Sequence, residues 1–189
     1  MKKLFLLAAV AIFSLSTMNA QGGVQFGAKA GANFSSLNGD DADAGDLNGR
    51  TNFHVGGVVN IGINEWFAVQ PELIYSLQGY EYDILGESVT GRLNYINIPI
   101  MADFTIAEGL SLQGGPQIGI NVTSEEEGFG ETEDTEAEST DISTGIGAQY
   151  KLPMGLFFQA RYMIGFTDVF DGVDAKNSVV SLSVGWFFN

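Results

Sequence analysis

From Gly23 onward the chain alternates, apolar at every second position and small or polar in between, in one segment after another. In "GVQFGAKAGANF" the apolar set is Val24, Phe26, Ala28, Ala30, Ala32 and Phe34, with Gln25, Gly27, Lys29, Gly31 and Asn33 between them. In "NFHVGGVVNIGI", Phe53, Val55, Val59, Ile61 and Ile63 oppose His54, Gly56, Asn60 and Gly62. A period of two means strands with unlike faces. The same rhythm runs through "WFAVQPELIYSLQG", "YINIPIMADF", "LSLQGGPQIGINV", "DISTGIGAQYKL", "LFFQARYMIGF" and "SVVSLSVGWFF", which makes eight predicted strands.

Each segment is roughly 10 to 14 residues long, more than the five or six usual in a soluble sheet and enough for a tilted strand to cross a bilayer. The connections alternate too. "NE", "IAEG" and "PMG" are short, whereas long polar stretches fall at about residues 36–51, 80–91, 123–140 and 167–178. Tight turns on one side and long loops on the other are the layout of an outer-membrane barrel. The expected fold is all-β: an eight-stranded antiparallel up-and-down transmembrane β-barrel, residues 21–189, with short periplasmic turns and long extracellular loops.

Charge placement tests this independently. Of 23 carboxylates, 19 lie in or beside the four long connections, and the strands are almost uncharged. The charges that strands do carry, Lys29, Glu72, Asp103, Lys151 and Arg161, all fall on the polar parity of their own segments. A Lys or Arg facing lipid at mid-depth costs about 2–4 kcal/mol, so the polar parity is expected to face inward. A soluble lipocalin-like barrel would invert both faces, an inversion that parity alone does not exclude. Strand length, loop asymmetry and aromatic placement disfavour it: Trp66, Phe67, Phe104, Tyr150, Phe158, Trp186 and Phe188 gather at the short-turn ends, and Phe34, Phe53, Tyr80 and Phe166 near the long-loop ends, as two interfacial girdles require. In the fourth segment Leu93 and Tyr95 lie out of phase with Ile96, Ile98 and Ile100, which predicts a bulge near Tyr95 or Ile96, and Pro99 adds a second expected irregularity.

The first twenty residues, "MKKLFLLAAVAIFSLSTMNA", have Lys2 and Lys3 before an apolar run and small or polar residues up to Ala20, the layout of a secretory signal peptide, although Met18 stands where a small residue is usual. Cysteine is absent from the sequence, which excludes disulfides, thiolate catalysis and thiolate metal ligands. The net charge is −15, and −17 once the two signal lysines are subtracted, which argues against a nucleic-acid partner.

The segments "GAKAGANFSSL", "QPELIYSLQG", "LNYINIPIMADF", "LQGGPQIGI", "GIGAQYKL" and "FFQARYMIGFTDV" together resemble the small outer-membrane β-barrel domain called PorT-like, from Gram-negative bacteria. The resemblance runs over essentially the whole chain after the signal segment. It implies an eight-stranded barrel in the outer membrane and brings no catalytic site or cofactor. The family's namesake takes part in protein secretion, so an accessory role in a secretion system is one implied reading.

Eight strands enclose an interior just wide enough for side chains. Counted from the short-turn ends, Lys29, Glu72 and Arg161 stand at similar depth, and an internal ion-pair cluster is expected there, with Asp103 and Lys151 as a second layer nearer the periplasm. A plug that satisfies buried charge is favoured over a gated ion path. His54, the single histidine, is inward by parity; with Ser35, Ser36 or a loop aspartate it would make a lipid-modifying enzyme, against the commoner lining role. "NGDDADAGD" fails the calcium-loop spacing. The stretch "TSEEEGFGETEDTEAESTD", residues 123–141, carries nine carboxylates and no Lys or Arg, and reads as a solvated third extracellular loop. The "NVT" sequon at Asn121 is uninformative in a bacterial setting, and no phosphate loop, zinc spacing or nucleotide fingerprint is present.

The expected protein is therefore a non-enzymatic outer-membrane barrel with a structural or surface-interaction role, needing no cofactor and no metal. A narrow solute pore and an enzyme built on His54 stand behind it. Its expected partners are outer-membrane lipid and lipopolysaccharide, the barrel-assembly machinery, and extracellular proteins or divalent cations at the acidic loops.

Overall fold

The computed structural model describes residues 23–40, 48–84, 87–128, 131–135 and 137–188. The expected signal segment at 1–20 and most of "NGDDADAGD" lie outside them. Nine strands are present among the described residues: β1 (Val24–Asn38), β2 (Asn48–Gly62), β3 (Phe67–Ile84), β4 (Glu87–Ala107), β5 (Leu110–Gly128), β6 (Glu131–Asp134), β7 (Thr140–Lys151), β8 (Leu156–Phe170) and β9 (Val173–Phe188). Eight of them pair antiparallel with their chain neighbours, and β1 pairs with β9 to close a ring. β6 stands outside the ring, paired only to the far end of β5.

Parity decides which face is which. Lys29, Asn33, His54, Glu72, Asp103, Gln149 and Arg161 are buried, whereas Phe34, Val55, Leu73, Ile100, Ile118, Ile146 and Leu182 are exposed on the outside. The inverted, lipocalin-like arrangement is not the one adopted. An outer face this apolar suits hydrocarbon rather than water, and a closed ring leaves no unpaired strand edge to meet it.

The connections are tight at one end of the ring: residues 63–66 between β2 and β3, 108–109 between β4 and β5, and 152–155 between β7 and β8. Gly109 and Gly155 have φ of 74° and 93°, a left-handed backbone that only glycine adopts without strain. At the other end the structure corrects the expected loops. Residues 80–91 are mostly strand, with β3 and β4 paired out to Ile84↔Glu87, and residues 167–178 form a β8–β9 hairpin turning at Asp171–Gly172. The acidic run is likewise not a bare loop, for β5 continues to Gly128 and folds back as β6. Cross-strand side chains hold these extensions. Arg92 pairs with Glu127, Arg50 Nε lies 3.4 Å from Glu81, and Lys176 reaches across to Asp168 while also contacting Asp174 on its own strand. The ring strands consequently run from 12 residues in β7 to 21 in β4, and all but β7 exceed the length their alternation suggested.

The expected bulge is relocated. The register between β4 and β5 slips between Asn94 and Tyr95, but the extra residue is Val122 on β5: Asn94 pairs with Thr123 and Tyr95 with Asn121. β4 itself keeps its alternation, and Leu93 and Tyr95 point inward together with Asn97. They belong to a buried apolar cluster with Leu37, Tyr80, Val169 and Ala175 that caps the interior at the long-hairpin end. Pro99 shifts no register, although the β3–β4 pairs skip Ile98 and Pro99 between Ile74↔Asn97 and Pro71↔Ile100.

Candidate functional site: a sealed polar interior

Glu72 is the centre of the barrel. Its carboxylate lies 2.8 Å from Lys29 Nζ, takes Arg161 Nη1 at 3.0 Å and Nη2 at 2.8 Å on its two oxygens, and accepts Gln70 Nε2 at 2.9 Å. Lys29, Glu72 and Arg161 are only 3–4% exposed, so the structure brings these three sequence candidates into one buried cluster. A forked guanidinium on a carboxylate is the strong form of this contact, and burial without such pairing is prohibitively costly.

Four glutamines that sequence reasoning did not single out extend the cluster into a belt. Lys29 Nζ donates to Gln159 Oε1 at 2.6 Å, Gln159 Nε2 donates to Gln113 Oε1 and Gln149 Oε1 at 2.9 and 3.1 Å, and Arg161 Nη2 also reaches Gln113 Oε1 at 2.8 Å. Gln70 joins Asn60, Glu72 and Gln149. The available signal was that Gln70, Gln149 and Gln159 share the parity of Glu72, Lys151 and Arg161 in their own strands, and that Gln113 lies on the parity opposite Leu112, Ile118 and Ile120. An amide both donates and accepts, so glutamines propagate satisfaction sideways where another charge would need its own counterion.

Asp103 and Lys151 do not form the expected second layer. Asp103 accepts Gln113 Nε2 at 2.6 Å, while Lys151 donates to Gln25 Oε1 at 3.0 Å and lies 5.7 Å from the centre of the Phe187 ring. The cause is register. Asp103 stands opposite Gln113, and Gln113 opposite Gly147, so Lys151 is four residues further along β7. At a strand rise of about 3.4 Å per residue this is about 14 Å, beyond any side-chain contact with Asp103.

His54 is buried, with Nδ1 2.8 Å from Asn33 Oδ1 and Nε2 2.8 Å from Ser183 Oγ. Neither Ser35 nor a loop aspartate is its partner: the Ser35 hydroxyl bonds the backbone around Gly79 and Arg50. Asn33 Nδ2 donates to Ser76 Oγ and Leu77 O, which turns Oδ1 toward the imidazole and makes Nδ1 the protonated nitrogen. Ser183 then donates to Nε2, as a triad serine does. The adjoining cavity is about 30 Å³, however, which is room for small ions or water and not for an acyl chain.

The polar interior is closed at both ends. At the long-hairpin end stands the cap of Leu37, Tyr80, Leu93, Tyr95, Val169 and Ala175, packed against Tyr82, Ala137 and Phe170. Tyr80 is therefore no girdle residue, because it shares the inward parity of Glu72; its hydroxyl donates to Glu126 at 2.7 Å. Burial, and then that hydrogen bond, pushes the Tyr80 hydroxyl well above its ordinary pKa. At the short-turn end Val58, Phe157 and Phe187 form a second apolar seal, with the two rings 4.7 Å apart. The next residues, Phe158 and Phe188, face outward with Trp66, Phe104, Tyr150 and Trp186, and Phe67 packs 5.0 Å from Phe104 and 5.9 Å from Trp66.

A ring of eight strands, apolar outside and polar within, is matched by a sequence-family model described as outer membrane protein beta-barrel domain, over residues 18–171. The chain belongs to that family. The ring is also similar to solved outer-membrane barrels. Ail, the attachment invasion locus protein of Yersinia pestis, is 19% identical with a TM-score of 0.59 over 87% of this chain and 98% of its own. Neisserial surface protein A is 15% identical with a TM-score of 0.57, over 88% and 99%. A comparison with curated protein sequences finds no match. At these identities the likeness establishes the fold. The family places the protein among outer-membrane barrels.

Proposed function

We propose that this outer-membrane barrel is a sealed anchor whose strand-extended acidic hairpins are its working surface. The supporting observation is the interior: a charge cluster and glutamine belt fill the middle, and apolar side chains close each end. A lumen filled in this way carries no solute, which argues against the pore reading, and the buried Ser183–His54 pair beside a cavity of about 30 Å³ argues against the enzyme reading. In this proposal the short turns face the periplasm and the β3–β4, β5–β6 and β8–β9 hairpins stand outside the cell, attached to the bilayer by the aromatic belt at the opposite rim.

The partner class follows from charge. Ail has been solved in complex with the heparin analogue sucrose octasulfate, a polyanion. Here Glu125, Glu126, Glu127, Glu131, Glu133 and Asp134 occupy one hairpin, answered by Arg92 from β4. Such a surface repels polyanions and suits cationic protein segments or divalent ions bridging to lipopolysaccharide. The finer kinship with PorT-like barrels rests on "QPEL", "NIPI" and "GGPQ", which here are ordinary stretches of β3, β4 and β5.

Reconstitution of the full mature chain tests both halves. Planar bilayers should show no steady unitary current, and proteoliposomes should retain polylysine but not heparin, with retention falling when residues 125–138 are removed. A stable open-channel current, or heparin binding that survives the removal, would overturn the proposal.

A further inference from the structure

On the long-hairpin side of Glu72 the barrel encloses a cavity of about 30 Å³, twice the about 10–15 Å³ that one water needs. Two charged residues line it, Lys29 and Arg161, and both are cations. The remaining polar wall consists of neutral amides, hydroxyls and His54. Glu72 is engaged on both its oxygens by four donor hydrogens from Lys29, Arg161 and Gln70, and as one carboxylate it balances one of the two cations. The other inward carboxylates are held elsewhere: Asp103 accepts Gln113, and Asp141 accepts Asn177 Nδ2 at 3.0 Å. Asp103 reaches Arg161 only through Gln113, so in direct contact Lys29 and Arg161 share one carboxylate, and burial makes that shortfall at the cavity wall expensive.

The hydrogen-bond count agrees with the charge count. Arg161 Nε–H is buried and has no partner among the described residues. Lys29 gives two of its three hydrogens, to Glu72 and Gln159, and keeps one. Ser76 Oγ accepts both Asn33 Nδ2 at 2.9 Å and Gln78 Nε2 at 3.1 Å, which occupies its two lone pairs and leaves its hydroxyl hydrogen to be given. Three donor hydrogens, from Lys29, Arg161 and Ser76, are thus uncommitted on the wall of a space of about 30 Å³.

We infer that this cavity binds one halide ion, held by Lys29, Arg161 and Ser76. A halide accepts hydrogens from any direction and supplies the missing negative charge, whereas water has two lone pairs and no charge. Because apolar residues seal the lumen above and below, the ion enters as the barrel closes and exchanges slowly afterwards.

The test is to refold the full chain from denaturant with bromide as the only halide, crystallise it and measure anomalous diffraction. A bromide peak in the cavity within contact of Lys29, Arg161 and Ser76 is expected; water alone there overturns the inference. The solution measurement uses unfolding of wild type and Ser76→Ala in chloride and in gluconate at equal ionic strength. With chloride at about ten times its dissociation constant, wild type should gain about tenfold in its folding equilibrium, and Ser76→Ala distinctly less. No chloride gain in wild type, or the same gain in both proteins, would also overturn it.

Discussion

Glu72 in the lumen and Glu126 on a hairpin show how differently this barrel treats the same side chain. Glu72 is buried and receives four hydrogen bonds from two cations and an amide. Glu126 stands on the β5–β6 hairpin directly opposite Glu133, and its neighbour Glu125 opposite Asp134. Like charges facing each other across two strands are destabilising, so that hairpin is held against its own electrostatics, with Arg92 on one flank and the Tyr80 hydroxyl on the other. The lumen surrounds its central carboxylate with donors because burial leaves no alternative. The hairpin tolerates repulsion because water and salt screen it.

The sharpest way to break the contrast is Glu72→Gln. It keeps the shape but leaves Lys29 and Arg161 buried without their counterion, and a loss of about 3–5 kcal/mol is expected for breaking such a pair. Urea unfolding in lipid vesicles measures it. Glu126→Gln, the same chemical change on the hairpin, should leave the midpoint within about 0.5 kcal/mol. Equal effects at the two positions would show that the central cluster is not what holds the lumen.

A second contrast sets the outer face of the ring against the β5–β6 hairpin. Ile146 on β7 is 69% exposed and faces outward, and Ile146→Arg should cost about 2–4 kcal/mol if hydrocarbon is its solvent. The same change at Thr132, on the hairpin, should cost nothing measurable and should pair with the facing Glu127. An Ile146→Arg protein of undiminished stability would mean that this face does not meet lipid at mid-depth.

These comparisons also mark what could be read without coordinates. Parity told the direction of nearly every side chain, because one residue of slip would turn a whole strand inside out. Depth was harder. Lys29, Glu72 and Arg161 meet, yet Asp103 and Lys151, judged by the same count from the turns, lie four residues out of step across β5. Stagger between tilted strands is invisible to a count along each strand alone. The apolar seals were hidden by the pattern itself: Tyr80, Leu93, Tyr95, Phe157 and Phe187 sit on the inward parity among polar neighbours and look like lapses. The doublets Phe157–Phe158 and Phe187–Phe188 were the clue, since adjacent residues of a strand cannot share a face. The hairpins escaped because carboxylate-rich sequence lacks the alternation that marks a strand, although cross-strand pairing through Arg50, Arg92 and Lys176 extends the sheet through it.

Alkaline unfolding separates the cap from the hairpin that touches it. Burial raises the folded pKa of Tyr80, so the folded protein keeps this hydroxyl protonated while the unfolded chain loses the proton near pH 10. Its contribution is therefore present below about pH 10 and declines as pH climbs beyond it. Tyr80→Phe removes the titrating group, and the difference between the two proteins' stabilities should shrink in the variant's favour above that pH. A difference that stays constant with pH would mean that the Tyr80 hydroxyl is not shielded in the cap.

The smallest expected effect is the most specific to the hairpin. Glu133→Lys turns the facing pair Glu126↔Glu133 from repulsive to attractive, worth about 0.2–1 kcal/mol across an antiparallel ladder. Global unfolding would barely register this, since β6 lies outside the ring. Amide hydrogen exchange at residues 125–134 does register it, because local opening reports local free energy. Protection there should rise in the variant, and the gain should shrink as salt is added, because added ions already screen the repulsion that the lysine removes. If protection stays unchanged at low salt, the opposed carboxylates are not what limits the hairpin, and its acidity has to be explained by what it meets outside the barrel.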